Sequence, residues 1–292
     1  MSIPEITFGH SLLTSRTLYV SDLDGTLLNS HSIVSDASAR MLNTAIASGA
    51  HFTVATARTP ATAIHLLSEI DMRLPGAVMT GAALFDFSSS RFSRLQYLPA
   101  GEADRLIRLY REAGVGTFIY TFTGDRLEVY HTGELNQHEK TFLSERCHSA
   151  VKHFNVPADG ESILPPSLDN TLLLYGVQPW SKAESLYRRI KEDKYAVTPL
   201  CYHDSLGDEW GELEMFGPYT SKASAIESVA SDMGAGRIVA FGDNINDLPI
   251  FRMADCAVAV GNARAEAIEE ADEVIGTNDE DAVASFILKH IR

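Results

Sequence analysis

The sequence of 292 residues contains few cysteines and few basic residues. Its three cysteines, Cys147, Cys201 and Cys256, are widely spaced and odd in number. They form neither a disulfide framework nor a CxxC metal site, which predicts a reducing compartment and therefore a cytoplasmic protein. Residues 1–16 lack a basic start followed by an apolar segment, so we predict no signal peptide.

Positive charge and long apolar runs are also scarce. Lysine and arginine total 24 against 39 aspartates and glutamates, so the formal net charge is −15. Such an acidic surface repels the phosphates of nucleic acids, and we find no basic patch that would overcome this repulsion. No apolar run approaches the roughly 18 residues that a membrane-spanning helix needs. We therefore expect neither a nucleic-acid partner nor a membrane, and the oligomeric state stays open.

Strands and helices alternate at both ends of the chain. β-rich segments at 17–21, 51–55 and 77–79 are separated by helical patterns, and the same alternation returns between 221 and 290. It predicts βαβ units and a parallel sheet.

The middle of the chain has a different pattern. Segments 117–122 and 126–130 each show the alternating pattern of a strand, and Gly124-Asp125 lies between them, which indicates an antiparallel hairpin. We therefore predict an α/β fold with a Rossmann-like parallel sheet as its core and an inserted α+β module. The predicted ranges are 1–83 and 211–292 for the core and 84–210 for the insertion.

Two aspartates follow the first predicted strand in the run Asp22-Leu23-Asp24-Gly25-Thr26-Leu27. The carboxyl ends of strands in an open α/β sheet face the usual ligand crevice, and a turn at Gly25 lets the loop curl over a ligand. Crowded carboxylates favour a hard cation such as Mg²⁺. Taken alone, the run is equally consistent with an Asp-Gly turn whose acids are solvated.

A second acidic run, Gly242-Asp243-Asn244-Ile245-Asn246-Asp247, follows the predicted strand at 238–241. A tight turn explains its first residues but not Asp247, so the two runs together favour a metal held between two strand ends. Thr56, at the end of the second strand, and Lys222, at the start of a helix, are candidates for contacts with a phosphate. A helix N-cap and a solvated surface lysine are the alternatives for these two residues.

The four features come in the order of the four motifs of haloacid dehalogenase-like hydrolases, and the sequence most resembles the Cof-type phosphatases of subfamily IIB. The resemblance covers residues 17–82 and 213–292, and covers the insertion only by its position and size, which are those of a cap domain. It implies a Mg²⁺-dependent phosphatase that cleaves a small phosphorylated metabolite.

The resemblance also implies a role for each motif residue. Asp22 is expected to be the nucleophile that forms an aspartyl-phosphate, and Asp24 the general acid and base. Mg²⁺ is expected between Asp22, the backbone carbonyl of Asp24, and Asp243, with support from Asp247. The residues expected to bind or position the phosphoryl group are Thr56, Ala57, Lys222 and Asn246.

Substrate selection is expected to fall to the cap, where we predict Glu128 and Asn170 as contacts. Two alternatives stay open: a phosphosugar mutase and a non-catalytic protein that binds a phosphorylated ligand. A mutase needs basic residues in the cap, where the arginines are scattered, and a binding protein is expected to have lost an acid. Several positions depart from the family pattern: Thr80 stands in place of asparagine, and glycine is replaced at Ala57, Tyr219, Ala223 and Ala282.

Overall fold

The computed structural model describes residues 16–146, 149–156, 162–204 and 207–291. Residues 1–15, where we predict no signal peptide, and Cys147 lie outside the described residues. The strands within the described ranges are β1 (Thr17–Ser21), β2 (His51–Val54), β3 (Gly76–Val78), β4 (Ala83–Asp86), β5 (Arg91–Ser93), β6 (Thr117–Thr123), β7 (Arg126–Thr132), β8 (Lys152–Phe154), β9 (Thr171–Pro179), β10 (Thr198–Asp204), β11 (Gly207–Phe216), β12 (Arg237–Gly242), β13 (Cys256–Ala259) and β14 (Glu273–Val274).

The helices in the same ranges are α1 (Asp36–Ala47), α2 (Pro60–Ala63), α3 (Ala100–Glu112), α4 (Gln137–Arg146), α5 (Trp180–Glu192), α6 (Lys222–Met233), α7 (Leu248–Met253), α8 (Ala265–Glu270) and α9 (Ala282–His290). Among the described residues, no helix combines the length and the apolar character needed to cross a bilayer.

The core is a five-stranded sheet with the order β14-β13-β12-β1-β2, in which all neighbouring strands are parallel. Strand β1 is buried on both faces: Leu18 and Val20 pack towards α6 and α7, whereas Tyr19 packs towards α1 and α9. A strand with helices on both faces is apolar along its whole length, which is the pattern that the sequence shows here. The predicted parallel α/β core is confirmed.

Strand β3 differs from the prediction that it would extend the parallel sheet. It meets the end of β2 only through the bridge between Ala55 and Ala77, and it pairs antiparallel with β4, which in turn pairs with β5. The chain reverses directly after β3, where Met79 and Thr80 have φ values of 51° and 55°. This reversal brings β4 back against β3 and forms a separate three-stranded sheet.

The insertion contains a six-stranded sheet, here called the cap sheet, with the order β10-β11-β9-β6-β7-β8. The predicted hairpin is confirmed, since β6 and β7 pair antiparallel: Thr117 lies opposite Thr132 at one end of the ladder, and Thr123 lies opposite Arg126 at the other. Helices α3 and α5 cover one face through residues such as Leu106 and Leu186. The other face is apolar and aromatic, with Tyr120, Leu173 and Tyr175 among its residues.

The predicted boundaries of the insertion stay predictions, and both fall inside a strand. Position 83/84 lies within β4, and position 210/211 lies within β11, which belongs to the cap sheet as far as Phe216. We propose that the cap extends from about residue 94 to Phe216, because a strand cannot change sheets in the middle of a continuous ladder.

Candidate active site

A buried cluster of charged residues lies at the carboxyl edge of the core sheet. Strands β1 and β12 are neighbours and end side by side, with Ser21 opposite Phe241, so the acids that follow them are adjacent. Lys222, the first residue of α6, donates from Nζ to Asp22 Oδ1 at 2.8 Å and to Asp247 Oδ1 at 2.7 Å. All three side chains are almost completely buried.

The cluster has more acidic than basic side chains. Burial raises the pKa of Asp22 to about 8 although Lys222 lowers it, and nearby Asp247 raises it further. Burial, together with the charge of Asp247, also raises the pKa of Asp243 to about 6. Although burial opposes it, the Asp22 and Asp247 carboxylates raise the pKa of Lys222 above its ordinary value. One ammonium thus faces three carboxylates.

The acids of the cluster fit a divalent cation. Oxygens of Asp22, Asp243 and Asp247 lie within 4.8 Å of one another. An all-oxygen donor set with this surplus of negative charge suits Mg²⁺, because a hard cation relieves the repulsion that burial makes costly. The predicted metal acids are therefore brought together, apart from Asp24, which was expected to contribute only its backbone carbonyl.

Asp247 also holds its own loop in shape. Its Oδ2 accepts hydrogen bonds from the backbone N–H groups of Asp243 and Asn244, each at 3.1 Å, while its Oδ1 faces Lys222. These bonds fix the turn after β12 and so the position of Asp243. Asn246, predicted to position the phosphoryl group or Lys222, is exposed on the same turn.

The loop after β1 packs directly against Asp243. Gly25 has a φ of +75°, and a Cβ there would lie 2.6 Å from Asp243 Oδ2. Thr26 donates from Oγ1 to Asp243 Oδ1 at 3.0 Å, and Asn262 donates to the carbonyl of Gly25 at 2.7 Å. No role was predicted from the sequence for Thr26 or Asn262. Thr26 stands inside the first motif, which is the signal that could have identified it.

Gly25→Ala is expected to lower turnover about 10- to 100-fold, because the added methyl group displaces Asp243 and the left-handed backbone is strained. The matched control is Gly124→Ala, since Gly124 has a φ of +69° and open space around its Cβ position. Both variants should show a lower melting temperature because of the strained backbone, with the larger fall for Gly25→Ala, and only Gly25→Ala should lose activity. Equal activities of the two variants would contradict this account of the loop.

Asp24 lies apart from the buried cluster. Its two carboxylate oxygens accept from Arg58 Nε at 2.8 Å and Nη2 at 2.6 Å, and its side chain is 53% exposed. Arg58 follows β2, so this bidentate pair connects the loops after two neighbouring strands. The sequence analysis assigned no role to Arg58.

Thr56 and Ala57 lie at the end of β2, as predicted. Thr56 is fully buried, and its Oγ1 accepts the backbone N–H of Arg58 at 3.1 Å, which leaves the hydroxyl able to donate one bond. Ala57 is exposed and lines the cavity described next. The strand end thus has the position expected for a phosphate contact.

A cavity of about 260 Å³ separates the loop after β2 from the cap sheet. The core side contributes Asp24, Ala57, Arg58, Thr59 and Thr62. The cap side contributes aromatic, aliphatic and charged residues: Tyr120, Phe142, Lys152, Leu173, Tyr175, Tyr202, Glu212 and Glu214.

The two predicted cap contacts, Glu128 and Asn170, do not line this cavity. Glu128 is opposite Thr121 in the β6–β7 ladder, whereas Tyr120 and its partner Val129 occupy the face towards the core. Alternate strand residues point to opposite faces, and Glu128 is bound instead by Arg126, His153 and Asn155. Asn170 donates to the carbonyl of Phe122. We therefore do not retain either residue as a substrate contact.

The departures from the family pattern at Thr80 and Tyr219 have a common backbone feature. Both residues have a positive φ, 55° and 65°, in the left-handed region that asparagine and glycine tolerate better. The side chain of Tyr219 is 90% exposed and does not line the cavity. The extra aromatic ring therefore leaves the cavity wall unchanged.

The comparison with known protein families agrees with this geometry. Residues 19–287 match the family of haloacid dehalogenase-like hydrolases. The chain therefore belongs to this family, and the resemblance drawn from the four motifs is confirmed.

Curated relatives are similar over most of the chain. It is 27% identical over 287 residues to the 5-amino-6-(5-phospho-D-ribitylamino)uracil phosphatase YwtE of Bacillus subtilis, covering 91% of this chain and 95% of that protein. It is 25% identical over 304 residues to the pyridoxal phosphate phosphatase YbhA of Escherichia coli, covering 96% of this chain and 100% of that protein. It is also 25% identical over 288 residues to the chloroplastic endoribonuclease YBEY of Arabidopsis thaliana, covering 92% of this chain and 45% of that protein.

Solved structures show the same fold. A haloacid dehalogenase-like hydrolase from Bacteroides thetaiotaomicron superposes with a TM-score of 0.72 at 23% identity, covering 94% of this chain and 99% of that one. A subclass IIB sugar phosphatase of the same superfamily gives a TM-score of 0.67 at 19% identity, covering 94% of this chain and 98% of that one. The predicted fold class, a parallel-sheet core with an inserted α+β cap, is thereby confirmed.

Proposed function

We propose that this hydrolase is a Mg²⁺-dependent phosphatase that cleaves small phosphorylated metabolites through an aspartyl-phosphate on Asp22. The observation that carries the proposal is the cluster of the buried Asp22, Lys222 and Asp247 with the partly buried Asp243, beside the cavity between core and cap. Charged side chains held away from water cost free energy, and their arrangement is explained by the binding of an anionic group together with a cation.

Asp22 is the nucleophile in this proposal. Its carboxylate oxygen attacks phosphorus, an Asp–O–P bond forms, and the bond from phosphorus to the substrate's alcohol oxygen breaks. Lys222 holds Asp22 in position and offers its ammonium to the negative oxygens of the transferring group. Thr56 and the backbone N–H of Ala57 bind further phosphoryl oxygens at the end of β2.

Asp24 carries the proton in both half-reactions. It protonates the departing alcohol and later takes a proton from the water that attacks the aspartyl-phosphate, which restores Asp22 and releases phosphate. Because Asp24 is bound to Arg58 in the structure, this role requires its carboxyl group to leave Arg58 and rotate towards the leaving oxygen. Its large exposure leaves room for that rotation.

Asp22, Asp243 and Asp247 are the side chains that would hold Mg²⁺. When bound, the ion supplies positive charge that reduces repulsion between an anionic nucleophile and an anionic phosphate. Thr26 and the backbone N–H groups around Asp247 orient these carboxylates.

The geometry favours a phosphatase over a mutase. Early-cap arginines that a mutase would use for a second phosphate are engaged on the surface, with Arg94 bound to Asp232, Arg105 to Glu102, and Arg108 to Asp104. A non-catalytic binding protein is expected to have lost an acid, and all four motif acids are present: Asp22, Asp24, Asp243 and Asp247.

The test is phosphate release from a panel of phosphate esters that includes the substrates named for YwtE and YbhA. Wild-type enzyme stripped with EDTA is expected to lose at least about 99% of its turnover and to regain it with added Mg²⁺. Asp243→Asn should need a much higher Mg²⁺ concentration, whereas the surface variant Asp71→Asn should titrate like the wild type. Metal-independent release by the stripped enzyme would refute the proposal.

A further inference from the structure

Strand β11 presents two carboxylates to the cavity. Leu213 and Met215 pack on the helix-covered face of the cap sheet, and Glu212 and Glu214 alternate with them and line the cavity. Neither glutamate was predicted as a site residue, because the boundary predicted at 210 placed both of them in the core. The alternation of acids with apolar residues in β11 was the signal that could have identified them.

Glu214 is a buried acid whose hydrogen bonds are incomplete. It is 6% exposed, it accepts a bond from the Tyr202 hydroxyl, and its Oε2 has no partner among the described residues. Burial and the neighbouring charge of Glu212 raise the pKa of Glu214 to about 8. The unpartnered oxygen and the burial both disfavour the ionised form of Glu214 in the free protein, so a cationic donor from a bound molecule would stabilise the carboxylate.

Aromatic rings surround this acidic wall. Tyr120 and Tyr175 are buried on the same face of the cap sheet, and Phe142 lies 5.1 Å from Tyr175 between ring centroids. Aromatic faces attract cations, and adjacent carboxylates do so more strongly.

We propose that Glu214, with Glu212 and the surrounding aromatic rings, selects phosphate esters whose alcohol part carries a protonated nitrogen. The inference rests on the proposed function and names the substrate class of that site. Lys152 of β8 donates to Thr59 on the core side of the cavity, whereas three strands separate β8 from β11 and its two glutamates. A substrate with a phosphate at one end and an ammonium at the other matches this separation of charge.

A neutral sugar phosphate fits the same wall less well. A hydroxyl group can donate to Glu214 Oε2, but it brings no positive charge, so the ionised form of this buried carboxyl stays costly. An ammonium supplies both the missing donor and the compensating charge, since hydrogen bonds between charged groups are the stronger class.

The test compares ester pairs that differ by one amino group: glucosamine 6-phosphate with glucose 6-phosphate, pyridoxamine 5′-phosphate with pyridoxal 5′-phosphate, and 2-aminoethyl phosphate with 2-hydroxyethyl phosphate. The readout is the ratio of kcat/KM within each pair, since this ratio cancels effects on the phosphate site. Wild-type enzyme should prefer the amine at least about tenfold in one or more pairs. Glu214→Gln should bring that ratio to within about twofold of unity, chiefly through KM.

The matched control is Glu209→Gln, which removes the same charge from an exposed position of β11 outside the cavity lining and should keep the wild-type ratio. If Glu214→Gln does not fold, as judged by its melting curve, Glu212→Gln should lower the ratio instead. Wild-type enzyme that hydrolyses the esters without preferring an amine, or an unchanged ratio in the variants, overturns the inference and leaves the phosphatase intact. Failure to hydrolyse any ester, p-nitrophenyl phosphate included, overturns the proposed function and this inference with it.

Discussion

Asp22→Asn is expected to lower kcat by at least about 1,000-fold on every phosphate ester that the wild type hydrolyses. An amide has no anionic oxygen with which to attack phosphorus, so no aspartyl-phosphate forms. The variant should stay folded, because Lys222 keeps its contact with Asp247 at 2.7 Å and a costly buried charge has been removed. Steady-state phosphate release and a thermal melt measure the two effects.

A trapping experiment separates the nucleophile from a general electrostatic role. Acid quenching during turnover of a ³²P-labelled ester should leave hydroxylamine-labile label on the wild type and none on Asp22→Asn. The surface variant Asp71→Asn, whose aspartate is 57% exposed, should trap label as the wild type does. Label retained on Asp22→Asn would show that another residue is the nucleophile.

Lys222→Met is expected to have the largest effect on stability. The lysine is 1% exposed and is bound by two buried carboxylates, so its removal leaves Asp22 and Asp247 facing each other without their cation. Removing one partner from a buried ion pair typically costs about 3–5 kcal/mol of unfolding free energy. Turnover should also fall, because the variant lacks the ammonium that we propose binds the phosphoryl oxygens.

Urea unfolding with and without Mg²⁺ measures this effect. The divalent cation should restore part of the lost stability by binding the acids that Lys222→Met leaves unpaired, and it should stabilise the variant more than the wild type. Lys289→Met, at an exposed position of α9, is the matched control and should unfold like the wild type. If Lys222→Met lowers the unfolding free energy by less than about 1 kcal/mol, and Mg²⁺ does not change that difference, the result would argue against the buried ion cluster.

Both experiments probe a cluster whose members come from distant parts of the chain. Asp22 and Lys222 are 200 positions apart, yet their atoms lie 2.8 Å apart, because α6 packs against β1 and brings its first residue to the carboxyl edge of the sheet. The parallel strands β1 and β12 end side by side, which places Gly25 against Asp243. The cluster is therefore expected to respond as a unit, with non-additive effects when two of its residues are changed together.

Much of the core was predictable from the amino-acid sequence. β-rich runs such as Thr17–Ser21, separated by helical patterns, predict a parallel sheet, and this sheet is observed. The acids at the ends of β1 and β12 predict a shared site because parallel neighbours end together, a rule that needs no side-chain coordinates. Short-range patterns decide these features, and for this reason the family could be identified from four motifs.

Only the tertiary structure decided two kinds of feature: the face of the sheet on which a strand residue lies, and the pairing between distant segments. Glu128 and Glu214 both stand in strands of the cap sheet, but only Glu214 is on the cavity face. The pairing of β3 with β4 likewise depends on a backbone reversal at Met79 and Thr80, residue types that do not usually predict a left-handed turn. A shift of one residue moves a side chain to the opposite face of a sheet, so composition alone cannot assign the residues that meet the substrate.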